Sequence, residues 1–216
     1  MSADGERGIP FVVAAPSGTG KTTVCREIVK SDARVVFSVS HTTRARREGE
    51  VDGRDYHFVA PDAFRQKVNE EAFLEWAIYN DHHYGTTWAS IEEPLSLGRD
   101  VLLEIEVQGA RQVRERRRDA RLILLIPPAM DVLERRLRKR GTDSEDAISR
   151  RLALARAELE VAELFDYAVV NDELAECVTR VLRILEAERC GDCAAVRREF
   201  AVRPAVEPLR SHMSHA

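Results

Sequence analysis

Lys21 and Thr22, preceded by Gly18 and Gly20, are the residues of this chain whose types and spacing most directly imply chemistry. They lie in the run Phe11-Val-Val-Ala-Ala-Pro-Ser-Gly-Thr-Gly-Lys-Thr-Thr23, where a short apolar segment ends at Pro16 and a helical pattern begins after Lys21. Strand, glycine-rich loop and helix is the order in which a P-loop works. Backbone N–H groups of such a loop turn inward onto phosphate oxygens, and the helix N-terminus adds partial positive charge. Lys21 can reach a β- or γ-phosphate, and the Thr22 hydroxyl is placed to ligate Mg²⁺. The pattern G-x-x-x-x-G-K-[ST] has Ala15 in place of its first glycine, a site that needs only a small residue. The expectation is a nucleoside triphosphate held by Ala15, Pro16, Ser17, Gly18, Thr19, Gly20, Lys21, Thr22 and Thr23.

A second phosphate site is expected in the polar stretch 40–56, which is rich in Arg and Gly and has no period of 2 or 3.6. Ser40, Thr42, Arg44, Arg47 and Tyr56 supply hydroxyl and guanidinium donors at close spacing, the chemistry that binds a phosphate monoester. The apolar run 100–106 carries carboxylates only at Glu104 and Glu106, near its C-terminal end, where open α/β sheets bind ligands. Two residues apart on a strand, they are expected on one face as Mg²⁺ or substrate ligands. Two phosphate sites in one small chain point to transfer from ATP to a phosphorylated acceptor. No general base is needed, because a phosphate monoester is already largely ionised near neutral pH, its second pKa being about 6. His82 and His83 are adjacent and face opposite ways on a strand, which argues against a metal pair. Cys190-x-x-Cys193 with His212-x-x-His215 is an arrangement that could hold zinc, although the histidine gap is shorter than usual. A disordered tail over 190–216 is the favoured reading.

The rest of the pattern supplies the frame. Helices are expected over 22–30, from Pro61 with an apolar face through Phe64, Val68, Phe73 and Leu74, over 87–97, 130–140, 144–163 and 173–189. Strands are expected over 35–39, 56–59, 75–86 with a turn near Asn80-Asp81, 100–106, 121–126 and 167–170. Residues 108–118 read as an exposed Arg-rich helix. Glu158 and Glu160 read as part of a solvated charged face, and the Arg-bearing helices flanking Gly141 as a segment able to close over ATP. Strands alternating with helices in 216 residues fit one α/β domain. The net charge of −4 argues against wholesale nucleic-acid binding. No segment has the apolar length of a signal core or membrane span, so a cytoplasmic location is expected. Four scattered cysteines form no disulfide framework. Nothing in the sequence specifies an oligomeric state.

From about Ile9 to Glu188 the chain resembles the guanylate kinase family, nucleoside monophosphate kinases that make GDP from GMP and ATP. The resemblance rests on stretches matching in order: Ala15-Pro-Ser-Gly-Thr-Gly-Lys-Thr-Thr, Phe37-Ser-Val-Ser-His-Thr-Thr-Arg, Gly49-Glu-Val-Asp-Gly-Arg-Asp-Tyr, Phe73-Leu-Glu-Trp, Tyr84-Gly-Thr, Arg140-Gly-Thr and Val170-Asn-Asp. It implies an α/β fold: a doubly wound parallel-sheet P-loop core (1–39 and 87–189), an inserted GMP-binding domain (40–86) and a helical lid (about 138–155). It further implies that Arg44, Arg47, Tyr56 and Tyr84 hold the GMP phosphate while Ser40, Glu75 and Thr86 face guanine. By the same resemblance Arg136, Arg140 and Arg151 join Lys21 and Arg44 as catalytic charges, and Asn171 lies near adenine. Glu104 (metal) and Glu106 (GMP) stand where the family has aspartates, each longer by a methylene, and Arg46 replaces a frequent proline. Two other readings share the fold: a ribose bisphosphate kinase, which would not need Glu75, and a phosphopeptide-binding module, which would not need an intact P-loop.

Overall fold

The computed structural model describes residues 7–79, 81–139 and 144–211. In chain order, β1 (Pro10–Ala14) leads to α1 (Lys21–Ser31) and β2 (Val35–Phe37). Next come β3 (His41–Thr42), β4 (His57–Phe58), α2 (Pro61–Asn69), β5 (Phe73–Tyr79) and β6 (His82–Thr87). They are followed by α3 (Ala89–Ser96), β7 (Asp100–Glu104), α4 (Val107–Arg116), β8 (Arg121–Ile126), α5 (Met130–Lys139) and α6 (Glu145–Glu160). A 3₁₀ turn (Ala162–Leu164), β9 (Tyr167–Val170), α7 (Leu174–Cys190), α8 (Ala194–Glu199) and α9 (Val202–Ser211) complete the described chain.

Continuous apolar runs become strands covered on both faces. Five of them form a parallel sheet in the order β2-β7-β1-β8-β9. Val12, Leu103, Leu122 and Leu124 point into one layer with α3, α4, α6 and α9. Phe11, Val13, Leu102, Ile123 and Leu125 point into the other with α1, α7 and α8. This is a doubly wound sheet. The strand order reverses at β1, so the crevice beyond the C-terminal ends of β1 and β7 is where such a sheet accepts a ligand. Leu133, Leu137, Ile148 and Ala155 form a smaller cluster joining α5 to α6. Among the described residues no helix is long and apolar enough to cross a membrane.

A second, mixed sheet, β4-β3-β6-β5, is built from the chain between β2 and α3. The sequence pattern assigns Phe73 and Leu74 to the apolar face of α2, but they open β5. That helix stops at Asn69, and Glu71 takes a φ of 51° that breaks the helical path. Along β5, Phe73 pairs with Thr87 and Glu75 with Thr86, so Leu74 is the extra residue of a β-bulge. Without the bulge, Phe73 and Glu75 would share a face. With it, Phe73 stacks on Phe64 (4.5 Å between centroids), the ring that also meets Trp76 and His83. Glu75 looks the other way, and Leu74 is fully buried in the core of the parallel sheet.

The expectation of a disordered tail is overturned over 194–211. Val196 and Phe200 enter one apolar layer, and Val202, Val206 and Leu209 the other. Phe200 O accepts from Ala168 N at 2.9 Å. Arg210 donates to the carbonyls of Leu159 and Glu160 and pairs with Glu163. Pro204 and Pro208 mask the helical period in the sequence. The Cys190 thiol donates to Glu186 and that of Cys193 to the Ala187 carbonyl, while His212 and His215 lie outside the described residues. Truncating a buried aromatic ring costs about 3 kcal/mol or more. Phe200→Ala is therefore expected to lower the unfolding free energy by that amount, read as a lower urea midpoint at unchanged m, with kinetics unchanged. An unaltered midpoint would mean that the C-terminal helices do not contribute to the core.

Candidate active site

The loop after β1 is shaped by backbone that only glycine takes without strain: φ is 96° at Gly18 and 98° at Gly20. A Cβ on Gly18 would also lie 2.7 Å from Leu137, so α5 packs directly on the loop. The Thr19 carbonyl accepts from Asn171 Nδ2 at 2.6 Å and from Arg136 Nη1 at 3.5 Å. Arg136 donates as well to the carbonyls of Asn171 (2.9 Å) and Asp172 (3.2 Å). Arg136 and Asn171 thus brace the outside of the loop. Arg151 lies on α6, and Arg140 is outside the described residues.

The period-2 reading put Glu104 and Glu106 on one strand face. The strand instead ends at Glu104, and Glu106 is the N-cap of α4, with φ −83° and ψ 163°. Both carboxylates still reach consecutive residues of the loop. Glu104 accepts from the Thr22 hydroxyl. Glu106 accepts from Lys21 Nζ at 2.9 Å, and the Ile105 carbonyl accepts from the same ammonium at 2.7 Å. Burial alone would lower the Lys21 pKa, but Glu106 and, less strongly, Glu104 raise it above its ordinary value.

Two cavities meet at these residues. A cup of about 200 Å³ is formed by the P-loop, and a cleft of about 380 Å³ opens beside it toward the second sheet. Lys21, Thr22 and Glu106 line both. The cleft brings together Ser40, Arg44, Arg47, Tyr56, Glu75 and Tyr84 from segments far apart in sequence. Arg44 is held by both oxygens of Glu50 (2.7 and 3.1 Å) and lies 5.5 Å from the Tyr56 ring centre. Its pKa is raised, chiefly by that hydrogen-bonded carboxylate. Glu50 also accepts from Arg47 N at 2.8 Å, and Arg47 itself is exposed along the cleft. Glu75, on the β5 side of the cleft, is only 4% exposed. Burial pushes its pKa up to about 7, and hydrogen bonds from Thr86 offset only part of that. Ser40 Oγ lies 3.0 Å from Thr86 Oγ1, completing a hydroxyl wall around the carboxylate.

The guanylate kinase family profile matches residues 7–188. A guanylate kinase of Sphingopyxis alaskensis is 47% identical over 85% of this chain and 84% of its own length. One from Zymomonas mobilis is 47% identical over 85% of both chains. The crystal structure of guanylate kinase from Anaplasma phagocytophilum superposes with a TM-score of 0.69 at 33% identity, covering 85% of this chain and 87% of that one. The chain belongs to the guanylate kinase family. Its fold is that of the P-loop kinases, and its activity is the ATP-dependent phosphorylation of GMP.

Two site residues escape sequence reading. Glu50 sits in a family motif, but nothing in its spacing shows that it clamps Arg44. Glu158 is expected on a solvated face, yet it is 9% exposed, and its Oε2 has no hydrogen-bond partner among the described residues. Its place between Ala155 and Leu159 on the buried face of α6 was the available signal. Burial, with Glu106 adding repulsion and Lys21 partly relieving it, pushes the Glu158 pKa from 4.5 up to about 8. The folded chain then keeps a proton that the unfolded chain releases above 4.5. Stability attributable to Glu158 therefore falls as pH rises from about 4.5 to 8. Glu75 acts in the same sense up to about 7. His41 acts oppositely: burial and the neighbouring His57 and Lys67 hold its pKa at about 4 rather than 6.5, so its contribution grows with pH and ends near 6.5. Among the described residues the window from about 6.5 to 8 isolates the two carboxylates. Within it the unliganded melting temperature is expected to fall, and Glu158→Gln to flatten the fall. An equal slope in the variant would show that Glu158 does not hold the proton.

Proposed function

We propose that GMP or dGMP lies in the cleft with its phosphate at Arg44, Arg47, Tyr56 and Tyr84 and its base at Ser40, Glu75 and Thr86, facing an ATP held by the P-loop. The observation that carries this reading is the meeting of cup and cleft at Lys21, Thr22 and Glu106. An acceptor phosphate oxygen attacks the γ-phosphorus there, in line with the bond to the β-phosphate oxygen that breaks. Little covalent chemistry is required of the protein, so alignment and positive charge carry the catalysis. Lys21 and Arg44 supply that charge from either side, with Arg136 on α5 and Arg151 on α6 contributing further charge to ATP, joined by Arg140.

Thr22 and Glu104 present two hard oxygen donors in contact at the junction, a donor set that suits Mg²⁺, which keeps waters and binds through one or two carboxylates plus substrate phosphates. When bound, Mg²⁺ neutralises charge on the donor phosphates. Removal of divalent cation by a chelator is expected to abolish turnover. Glu104→Ala is expected to raise the Mg²⁺ concentration for half-maximal rate, and an unchanged requirement would remove Glu104 from the metal site.

Ionised Glu75 can accept from the ring N–H and the exocyclic amine of guanine, whereas adenine offers no such pair. An unpaired buried carboxylate then penalises AMP. The four cysteines are free, consistent with work in a reducing cytoplasm. ADP release in a coupled assay is expected with GMP and dGMP and not with AMP. Glu75→Gln is expected to raise the GMP KM about 10- to 100-fold, the worth of a charge-assisted hydrogen bond, and to narrow the GMP/AMP ratio. Equal turnover of AMP by the wild-type chain would reject this reading of the base site.

A further inference from the structure

We infer that Gly109 determines acceptor specificity: its missing side chain is the space in which the Glu75 carboxylate stands, and α4 holds β5 so that this space cannot be regained elsewhere. Gly109 is buried in the first turn of α4, where alanine would be the better helix former. Propensity therefore gives no reason for glycine, but geometry does. A Cβ built on Gly109 would lie 2.7 Å from Glu75 Oε2, 3.4 Å from its Cδ and 3.3 Å from Ile105 Cδ1.

The strand cannot retreat from such a contact. Gln112 pairs with the backbone of Trp76 in both directions, accepting from its N–H at 3.2 Å and donating to its carbonyl at 2.7 Å. Arg116 Nη1 donates to the carbonyls of Phe73 and Leu74, each at 3.1 Å. Residues 109, 112 and 116 are spaced i, i+3, i+7, so one face of α4 grips β5 on both sides of Glu75. The helix cannot retreat either. Val107, Ala110 and Val113 are buried in the core, and the Ile105 N–H donates to Val13 O at 3.3 Å. A methyl group at 109 must then turn the carboxylate away from Thr86. Gly109 lines the cleft and not the P-loop cup, so the effect falls on the acceptor and spares ATP.

The inference rests on the reading that Glu75 faces guanine, and steady-state kinetics of four variants separate the two. Gly109→Ala is expected to raise the GMP KM at least 10-fold and to narrow the GMP/AMP ratio, with the ATP KM within twofold of wild type. Glu75→Asp withdraws the carboxylate by one methylene. In that background Gly109→Ala is expected to add less than twofold to the GMP KM. An unchanged GMP KM in Gly109→Ala, or the same increase in both backgrounds, overturns the role of Gly109. Glu75→Gln tests the underlying reading by itself. If it raises the GMP KM while Gly109→Ala does not, only the inference fails; if it leaves GMP unaffected, the reading of Glu75 fails. Should Gly109→Ala alone not fold, the double variant decides. A folded double variant with the kinetics of Glu75→Asp supports the contact, and an unfolded one overturns it.

Discussion

A buried ammonium has to be compensated, and the meeting point of β1, β7 and α4 is arranged around that requirement. The Lys21 side chain is 12% exposed, and an unpaired charge in such a place costs several kcal/mol. The Ile105 carbonyl and the Glu106 carboxylate supply the compensation. For that carbonyl to face Lys21 the chain has to leave β7 after Glu104. The same departure sends Glu104 to Thr22 and makes Glu106 the cap of α4. Strand end, helix start and both carboxylate positions thus follow from one cation. In the proposed reading a triphosphate enters by exchange of partners, and Lys21 is never left alone.

The acceptor half applies the same rule with the signs divided along its length. Arg44 is fixed by Glu50 and flanked by the rings of Tyr56 and Phe58. Glu75 sits among hydroxyls with little access to water. Keeping a carboxylate dry works against stability, and the pKa of about 7 expresses that cost. In the proposed reading what it supplies is discrimination, because a desolvated acceptor binds strongly to a base with matching donors and rejects one without them.

Much of the parallel sheet was legible, because β1, β7 and β8 are continuous apolar runs with glycine or proline at their ends. The P-loop was legible for the same reason: its glycines, Lys21 and Thr22 act through local backbone, and local backbone is what spacing encodes. Residue type alone assigns Ser40 to the phosphate site; its place beside Thr86 follows only from the family resemblance, since the two are 46 residues apart and meet through the pairing of β3 with β6. Features that depend on exceptions to a period were hidden. Period 2 continued past Glu104 misplaced Glu106. The charged surroundings of Glu158 concealed that it occupies a buried helical position. Prolines disguised α9, and the Arg-rich α4 looked solvated although Arg114 bonds Asp166 and Arg116 bonds β5. For Glu106, α4 and α9 a partner distant in sequence decides, and such a partner leaves no mark on neighbouring residues.

The bulge at Leu74 also has a mechanical meaning. Its extra side chain is driven into the core of the parallel sheet, so it pins the second sheet at β5, the edge strand. β4, at the opposite edge, lies three strand spacings away, roughly 14 Å, whereas Glu75 adjoins the pinned residue in sequence. In the proposed reading the base of the acceptor is thus read at the point where the second sheet is anchored to the first.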